Sequence, residues 1–583
     1  MKIIVATHDA RSWPANQKLF GLGSWCLRQN PMEQPQEFLE SVLHPYGMDP
    51  KSKDADEIKA QDLADWLLRE LFSCMGNLGI CDYQPEELKI TLGHWLIRYS
   101  RMLVNRCGTL SAAFRALPDA ALWACPPDWV PAIPATTGSA LSLMNDDMHN
   151  WFVFSSIAKS MGLPSIQAEQ TIFQPQISPP LPTRKYQLKA LAFSLASNLS
   201  RWTIRPTSPL VIATYLPKPV ESSWLVSNGL VPQFWELRDP DFAELSEDLV
   251  LRHKISEMIA AKASGDIELV AAQLLQYLLP KSAVEGFGLI LRHIDTLGWP
   301  ANPPWIFTSN CFDTFETFKH YVVLKKRNGA KYLVGQHGNN YGTLRTMDPS
   351  IEEGTSDKFL SWGWTNNREN VVPGFLLKLA KRMRLSTSGD RLVHMQVHRA
   401  HSAETWDVWA EFSMYFERQV AFFKSLEESP FDSLAIRLHS AHKSQEFYEK
   451  EKFQILGFGD KFEKPNTPWA TAIRQARLVV HSYDSTGLIE TLYLDKPTVA
   501  FWHGGLDQLV EQAKPFYQGL VDAGIIYFDP VQAAEFINKN WSTLDTWWFS
   551  PEVRSARDNF LAHYGRATSR PVKTLNDFVK GAL

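Results

Sequence analysis

The stretch Arg477 to Trp502, RLVVHSYDSTGLIETLYLDKPTVAFW, places Ser485, Thr486 and Gly487 at an expected helix start, four to six residues after His481. There, backbone N–H groups without intrahelical partners and the positive end of the helix dipole face whatever lies beyond the preceding strand, which suits an anion. Glu490 follows Thr486 by one turn on the same helix face, where a carboxylate can accept hydrogen bonds from ribose hydroxyls. It is out of capping-box register, because the three-residue spacing runs from Gly487, which has no hydroxyl. A plain surface glutamate remains the alternative, and many α/β proteins start a helix with these residues and bind nothing there.

Other groups carry chemistry of their own. In MNDDMHNWFVF, residues 144–154, Asp146, Asp147 and His149 could supply a general base or a carboxylate nucleophile, since adjacent carboxylates push their pKa values apart and a histidine relays protons. Asn145 or Asp146 could equally be only the N-cap of the helix that follows. His337, between Gln336 and Gly338 just past a strand, is read as functional and not as a core histidine. Arg437 and His439 close one strand and His481 closes another; a guanidinium binds phosphate oxygens bidentately, and an imidazole can protonate a leaving phosphate. His94 and Arg98 share a helix face and could hold an anion or form an ordinary salt-bridged surface.

The elements that must position these groups are of α/β type. Strands at 305–310 and 330–336 flank a helix at 312–326, so they are expected to be parallel with a right-handed crossover. Their shared carboxyl edge then brings Asn310 and Asp313 to His337, where open α/β sheets hold ligands. From residue 392 onward, strands at 392–397, 433–438, 478–480, 497–502 and 525–528 alternate with helices in a doubly wound pattern, which sets Arg437, His439 and His481 on the rim carrying Ser485 and Thr486. Before these come a first strand in MKIIV, helices at 56–78 and 87–104, a Pro-rich loop at 174–183, a helix at 185–200 and a strand at 210–216. The predicted divisions are an N-terminal α/β domain with helical insertions over 1–385, a second α/β domain over 386–545, and a helical tail over 546–583.

A chain of 583 residues suits two or three domains. Its 21 Trp and 33 Phe suit a sugar-binding cleft, although aromatic cores are commoner. The formal net charge of -4 gives no basic field for a polyanion and argues against a dedicated nucleic-acid binder, though not against local basic patches. The six cysteines lack C-x-x-C spacing, so neither a zinc site nor a disulfide framework is indicated, and reduced cytosolic thiols are expected. No apolar run approaches the ~18 residues that span a bilayer, so membrane association would be peripheral. No acidic D-x-D pair stands in the loop-after-strand context of a metal-dependent transferase, and no metal ligands are expected.

The motifs GSWC, TLGHWLIRY (91–99), NDDMHNWFVFS (145–155), IFTSNCF (306–312), GQHGNNYGT (335–343), SDKFLSWGW (356–364), RLHSAH (437–442), HSYDSTGLIETLYLDKPTVAFW (481–502) and the Trp547–Trp548 pair span the chain. Together they resemble a family of transferases from bacterial surface-polysaccharide and O-antigen loci, similar to GT-B glycosyltransferases. The resemblance implies two Rossmann-like domains facing across a cleft, 1–385 on the acceptor side and 386–545 binding the nucleotide sugar, with the tail packing back towards the first. It implies a cytoplasmic enzyme, peripheral at the inner face of the cytoplasmic membrane, that moves a sugar from a nucleotide donor to a glycan or lipid-linked glycan acceptor and needs no further cofactor. By analogy with GT-B enzymes that surround a single phosphate with His and Ser/Thr, the expected donor is a CMP-activated ulosonic acid, Kdo or a nonulosonate.

In that reading Ser485, Thr486 and Gly487 hold the phosphate, Glu490 holds the ribose, and Arg437 with His439 or His481 neutralises developing charge. Asn310, Asp313, Gln336 and Gly338 complete the donor side, while Asp146 or Asp147 with His149 and His337 acts on the acceptor or anomeric carbon. The residues after Arg437 depart from an expected Tyr-Pro-His-like continuation, which leaves both His439 and His442 as donor-side candidates. The alternatives are a nucleotide-sugar epimerase or hydrolase on the same fold, and a non-catalytic component of a polysaccharide assembly complex.

Overall fold

A computed structural model describes the chain except residues 16, 28–29, 33–38, 44–45, 48, 170–203, 231–234, 236, 380–388, 398–411 and 440–447. The loop expected at 174–183, the helix expected at 185–200 and His442 lie outside the described residues.

Among the described residues, fifteen strands form three parallel sheets of five. The first contains β1 (Lys2–Val5), β2 (Leu19–Gly21), β3 (Leu39–Val42), β4 (Ala120–Ala124) and β5 (Ser165–Gln167), in the order β3-β2-β1-β4-β5. The second runs in reverse sequence order through β10 (Val371–Pro373), β9 (Lys358–Ser361), β8 (Lys331–Gly335), β7 (Trp305–Thr308) and β6 (Leu210–Ile212). The third contains β11 (Arg391–Met395), β12 (Leu434–Arg437), β13 (Ala476–His481), β14 (Thr498–Phe501) and β15 (Ile526–Tyr527), in the order β12-β11-β13-β14-β15. Its strand order reverses between β11 and β13, so a crevice opens at their carboxyl ends. Apart from β10, a three-residue strand that was not expected, the strands of the second and third sheets overlap the apolar runs; β7 and β14 are buried along their whole length, as strands covered on both faces must be.

Residues 1–385 thus carry two sheets. The first is built from strands as short as LFG and SIQ, whose three residues show no periodicity. Helices α1 (Pro50–Asn77) and α2 (Pro85–Ala116) pair along buried leucines, and their starts are written in the sequence. Asp49 accepts from the Ser52 amide before a proline, and the Glu87 carboxylate accepts from the Gln84 amide at 2.7 Å.

The second and third sheets are bound together. Between β14 and β15 the chain is helical over Lys514–Asp522, and residues before that helix pair with the second sheet's loop: the Arg345 amide donates to the Gln508 carbonyl at 3.1 Å and the Val510 amide to the Thr343 carbonyl at 2.8 Å. The tail crosses between them as well. Arg557 stacks 3.9 Å over Trp548 and pairs with Asp495, the Arg566 amide donates to the Trp362 carbonyl at 2.8 Å, and Asn576 accepts from Trp224 Nε1 at 3.1 Å.

Candidate active site

The carboxyl ends of the second and third sheets, roofed by α1 and α2, enclose a cavity of about 830 Å³. On the second-sheet wall, β7 leads into Asn310, Phe312 and Asp313, and β8 into His337 and Asn339. Arg98 clamps Asp313 bidentately, with Nη1 2.5 Å and Nη2 2.8 Å from the two carboxylate oxygens. Burial would raise the Asp313 pKa, but the Arg98 guanidinium wins and holds it below the usual carboxylate range. His94 stacks on Phe312, and burial pushes its pKa down to about 3 against the pull of Asp313.

His337 stands in this wall with its Nδ1 3.0 Å from the Tyr341 hydroxyl, which in turn donates to Glu352. That hydroxyl has one proton, so its oxygen accepts from His337 Nδ1–H and leaves Nε2 with its lone pair. Burial lowers the His337 pKa, against the opposing charge of Asp313, and raises that of Glu352. The result is a neutral imidazole of fixed tautomer with a carboxylate one hydroxyl away. Gln336 holds the loop in place: its Oε1 accepts from the Trp362 amide at 2.9 Å and Trp364 Nε1 at 2.8 Å, and its Nε2 donates to the Gly338 carbonyl.

On the third-sheet wall, Val397 follows β11, Ser482 and Asp484 follow β13, and Trp502 and His503 follow β14. The Tyr415 hydroxyl lies 2.7 Å from Ser482 Oγ and accepts from the Val397 amide at 3.0 Å. Asp484 accepts from Asn339 Nδ2 at 2.7 Å and from the Tyr517 hydroxyl at 3.0 Å; burial outweighs both and pushes its pKa up to about 6.

The loop 485–490 lies directly behind this wall, and its groups are largely engaged by protein. Ser485 caps the helix Thr486–Tyr493 by accepting from the Leu488 amide, and Thr486 Oγ1 accepts from the Asn339 amide at 2.9 Å. Gly487 is required by His481: a Cβ there would sit 2.8 Å from the His481 ring. His481 is buried, with Nε2 3.1 Å from Thr491 Oγ1 and a pKa pushed to about 3 by burial. Glu490, expected on a ribose, is buried against Lys378 Nζ at 2.5 Å.

Asn310, Asp313 and His337 are therefore brought together in the cavity wall, with Gln336 and Gly338 in the loop that supports it. Arg437, expected at the rim, instead pairs with Glu463 and donates to the Thr467 carbonyl at 3.0 Å, and neither it nor the exposed His439 lines the cavity. Asp146, Asp147 and His149 belong to the first sheet's unit and do not line the cavity either. Asp146 is the N-cap of the helix Asp147–Ser160, accepting from the His149 amide at 2.8 Å. Asp147 pairs with His8 Nδ1 at 2.6 Å, and the buried His149 has its pKa pushed to about 4. Tyr341, Glu352, Arg418 and Asp484 also line the cavity and were not singled out in the sequence. Tyr341 follows His337 by four residues in a Gly-rich loop, and Asp484 directly precedes Ser485, which were usable signals; Glu352 and Arg418 had none.

Two parallel sheets with their carboxyl ends facing across one cavity define a two-lobed α/β protein with a cleft between the lobes, the place where open α/β sheets hold ligands. The profile of the LIC12162 family transferases matches residues 2–579, and the chain belongs to that family. No curated protein matches it in sequence. Among solved structures it is similar to the spinosyn rhamnosyltransferase SpnG complexed with spinosyn aglycone, at 11% identity and TM-score 0.30, over 69% of this chain and 98% of that one. It is also similar to a lysine-to-methionine mutant of the Thermobaculum terrenum O-GlcNAc transferase, at 10% identity and TM-score 0.33, over 91% of this chain and 97% of that one.

Proposed function

We propose that the chain is a glycosyltransferase that moves a sugar from a nucleotide donor to a glycan acceptor in the cavity between the second and third sheets. The observation that carries this reading is the chain of hydrogen bonds from His337 through Tyr341 to Glu352 in the cavity wall. His337 Nε2 takes the proton of the acceptor hydroxyl as its oxygen attacks the anomeric carbon, the bond from that carbon to the donor phosphate breaks, and the nucleotide leaves with the bonding pair. Glu352, through Tyr341, stabilises the imidazolium that forms. One base on the attacking side gives inversion at the anomeric carbon.

The family's description as transferases and the size of the cavity, within the range of small-ligand sites, support the reading. The donor is proposed to be a CMP-activated ulosonic acid, and the acceptor a lipid-linked surface glycan, O-antigen or capsule, met at the inner face of the membrane. Peripheral contact suffices for this, since among the described residues no helix is long and apolar enough to cross a bilayer. The test is a thermal-shift screen of CMP, CDP, UDP and GDP, followed by product analysis with the stabilising nucleotide's sugar. Transfer to an acceptor that His337→Asn slows by roughly 100-fold or more, with nucleotide binding retained, supports the proposal. Free sugar or an epimer as sole product rejects it in favour of a hydrolase or epimerase.

A further inference from the structure

Among the described residues three arginines line the cavity, and two are neutralised in place: Arg98 by Asp313 and Arg101 by Glu57, at 2.7 Å. The third is Arg418, on the helix Phe412–Ser425. Its Nη2 donates to the Trp502 carbonyl at 3.2 Å and to the Phe528 carbonyl at 2.6 Å, at the ends of β14 and β15. Among the described residues no carboxylate stands within ion-pair distance of it. Of the five N–H donors of a guanidinium, two are used in this way and three have no partner among the described residues. Carbonyl oxygens fix the group's position without an ion pair, and the carboxylate whose charge reaches it, Asp529, is engaged as the cap of the helix Pro530–Asn540, so an incoming anion completes the partners of a half-buried cation.

The neighbours add hydrogen-bond donors, and Lys53 in the same lining adds positive charge. His503, exposed to the cavity on the loop after β14, has its pKa lowered by burial and then by the nearby charges of Arg418 and Lys53. Tyr415, three residues before Arg418 on the same helix face, presents its hydroxyl beside Ser482 Oγ in the same wall. On the opposite side of the cavity stands His337.

We propose that Arg418, with His503 beside it, is the anion-binding subsite of this cavity and takes the charged oxygens of the donor, those of its phosphate or of a sugar carboxylate. This rests on the reading of the cavity as a donor site, and it moves the anion site away from the helix start at Ser485 to Gly487 and onto the neighbouring helix and loop. The test is calorimetric titration of the intact chain with CMP, UDP, their nucleosides, inorganic pyrophosphate and a free ulosonic acid. In Arg418→Gln the affinity for the anionic probe that the native chain binds falls roughly 10- to 100-fold, and nucleoside affinity stays unchanged. Loss confined to the phosphate probes assigns phosphate, and loss confined to the free acid assigns carboxylate.

Because Arg418 also ties two strand ends, unfolding of the ligand-free variant is measured alongside. His503→Ala, altered on an exposed loop, provides a second variant, with an expected loss of roughly three- to tenfold. Nucleotide binding and sugar transfer unchanged in both variants overturns the subsite and leaves the glycosyltransferase standing. Pyrophosphate binding lost in Arg418→Gln, by a native chain that binds no nucleotide, keeps the subsite and overturns the donor. A native chain that binds none of the anionic probes overturns the subsite as well.

Discussion

The base role proposed for His337 requires a neutral ring, and burial keeps the ring neutral to lower pH than an ordinary histidine. The acid limb of kcat/KM is therefore expected below the unperturbed value of about 6.5. A limb above that value, measured with a non-ionising acceptor, removes His337 from the role. Asp484 works in the opposite sense. Its folded pKa is raised to about 6, so its contribution to stability is full below the unfolded value of about 3.9 and is lost as pH rises through about 6. Asp484→Asn keeps a hydrogen-bonding side chain without the charge. Its melting temperature should exceed that of the native chain at pH 8, with the difference vanishing at pH 4. Equal melting temperatures at pH 8 would mean that Asn339 and Tyr517 fully offset the buried charge.

At the scale of elements, the loop 485–490 shows how far a sequence can be read. Its strand, helix start and Ser485 cap were legible, because apolar runs and capping chemistry are local. Where Thr486, Gly487 and Glu490 spend their groups was not legible, because Asn339 and Lys378 lie about a hundred or more residues away in sequence and arrive only through packing. The cavity wall at Asn310, Asp313 and His337 was foreseeable, since parallel strands joined by a helix must share a carboxyl edge. The first sheet was not, since three-residue strands carry no period. Asp146 took the modest role open to it, that of a cap. Gly487→Ala tests the packing account: a methyl 2.8 Å from the His481 ring should cost about 1–3 kcal/mol, read as a lower denaturant midpoint, even with no ligand present. An unchanged midpoint would return Gly487 to a ligand-facing role.

Across the whole molecule, neutral histidines are built into the interior. His94, His320, His394 and His481 all have pKa values pushed to about 3 by burial. Because these folded values lie below the unfolded one, the stability they permit is full above about pH 6.5 and is lost as pH falls below it. His394 is packed among Phe422, Phe423 and Phe501, so His394→Phe should move the acid-unfolding midpoint to lower pH, followed by fluorescence. An unmoved midpoint would assign acid sensitivity to the remaining three.

The roof of the cavity belongs to neither of the sheets that face each other. Helices α1 and α2 supply Lys53, Gln61, His94 and Arg98 to its lining, yet the chain passes through them between strands of the first sheet. On the proposed reading, with the acceptor entering beneath this roof, acceptor choice and most of donor choice are carried by separable parts of one polypeptide, Lys53 being the roof residue that reaches the proposed anion subsite. A chimera that exchanges residues 50–116 with those of another family member should keep its nucleotide preference and change which glycan it extends. A chimera that instead switches nucleotide, assayed by competition among nucleotides, would show that the two choices are inherited together.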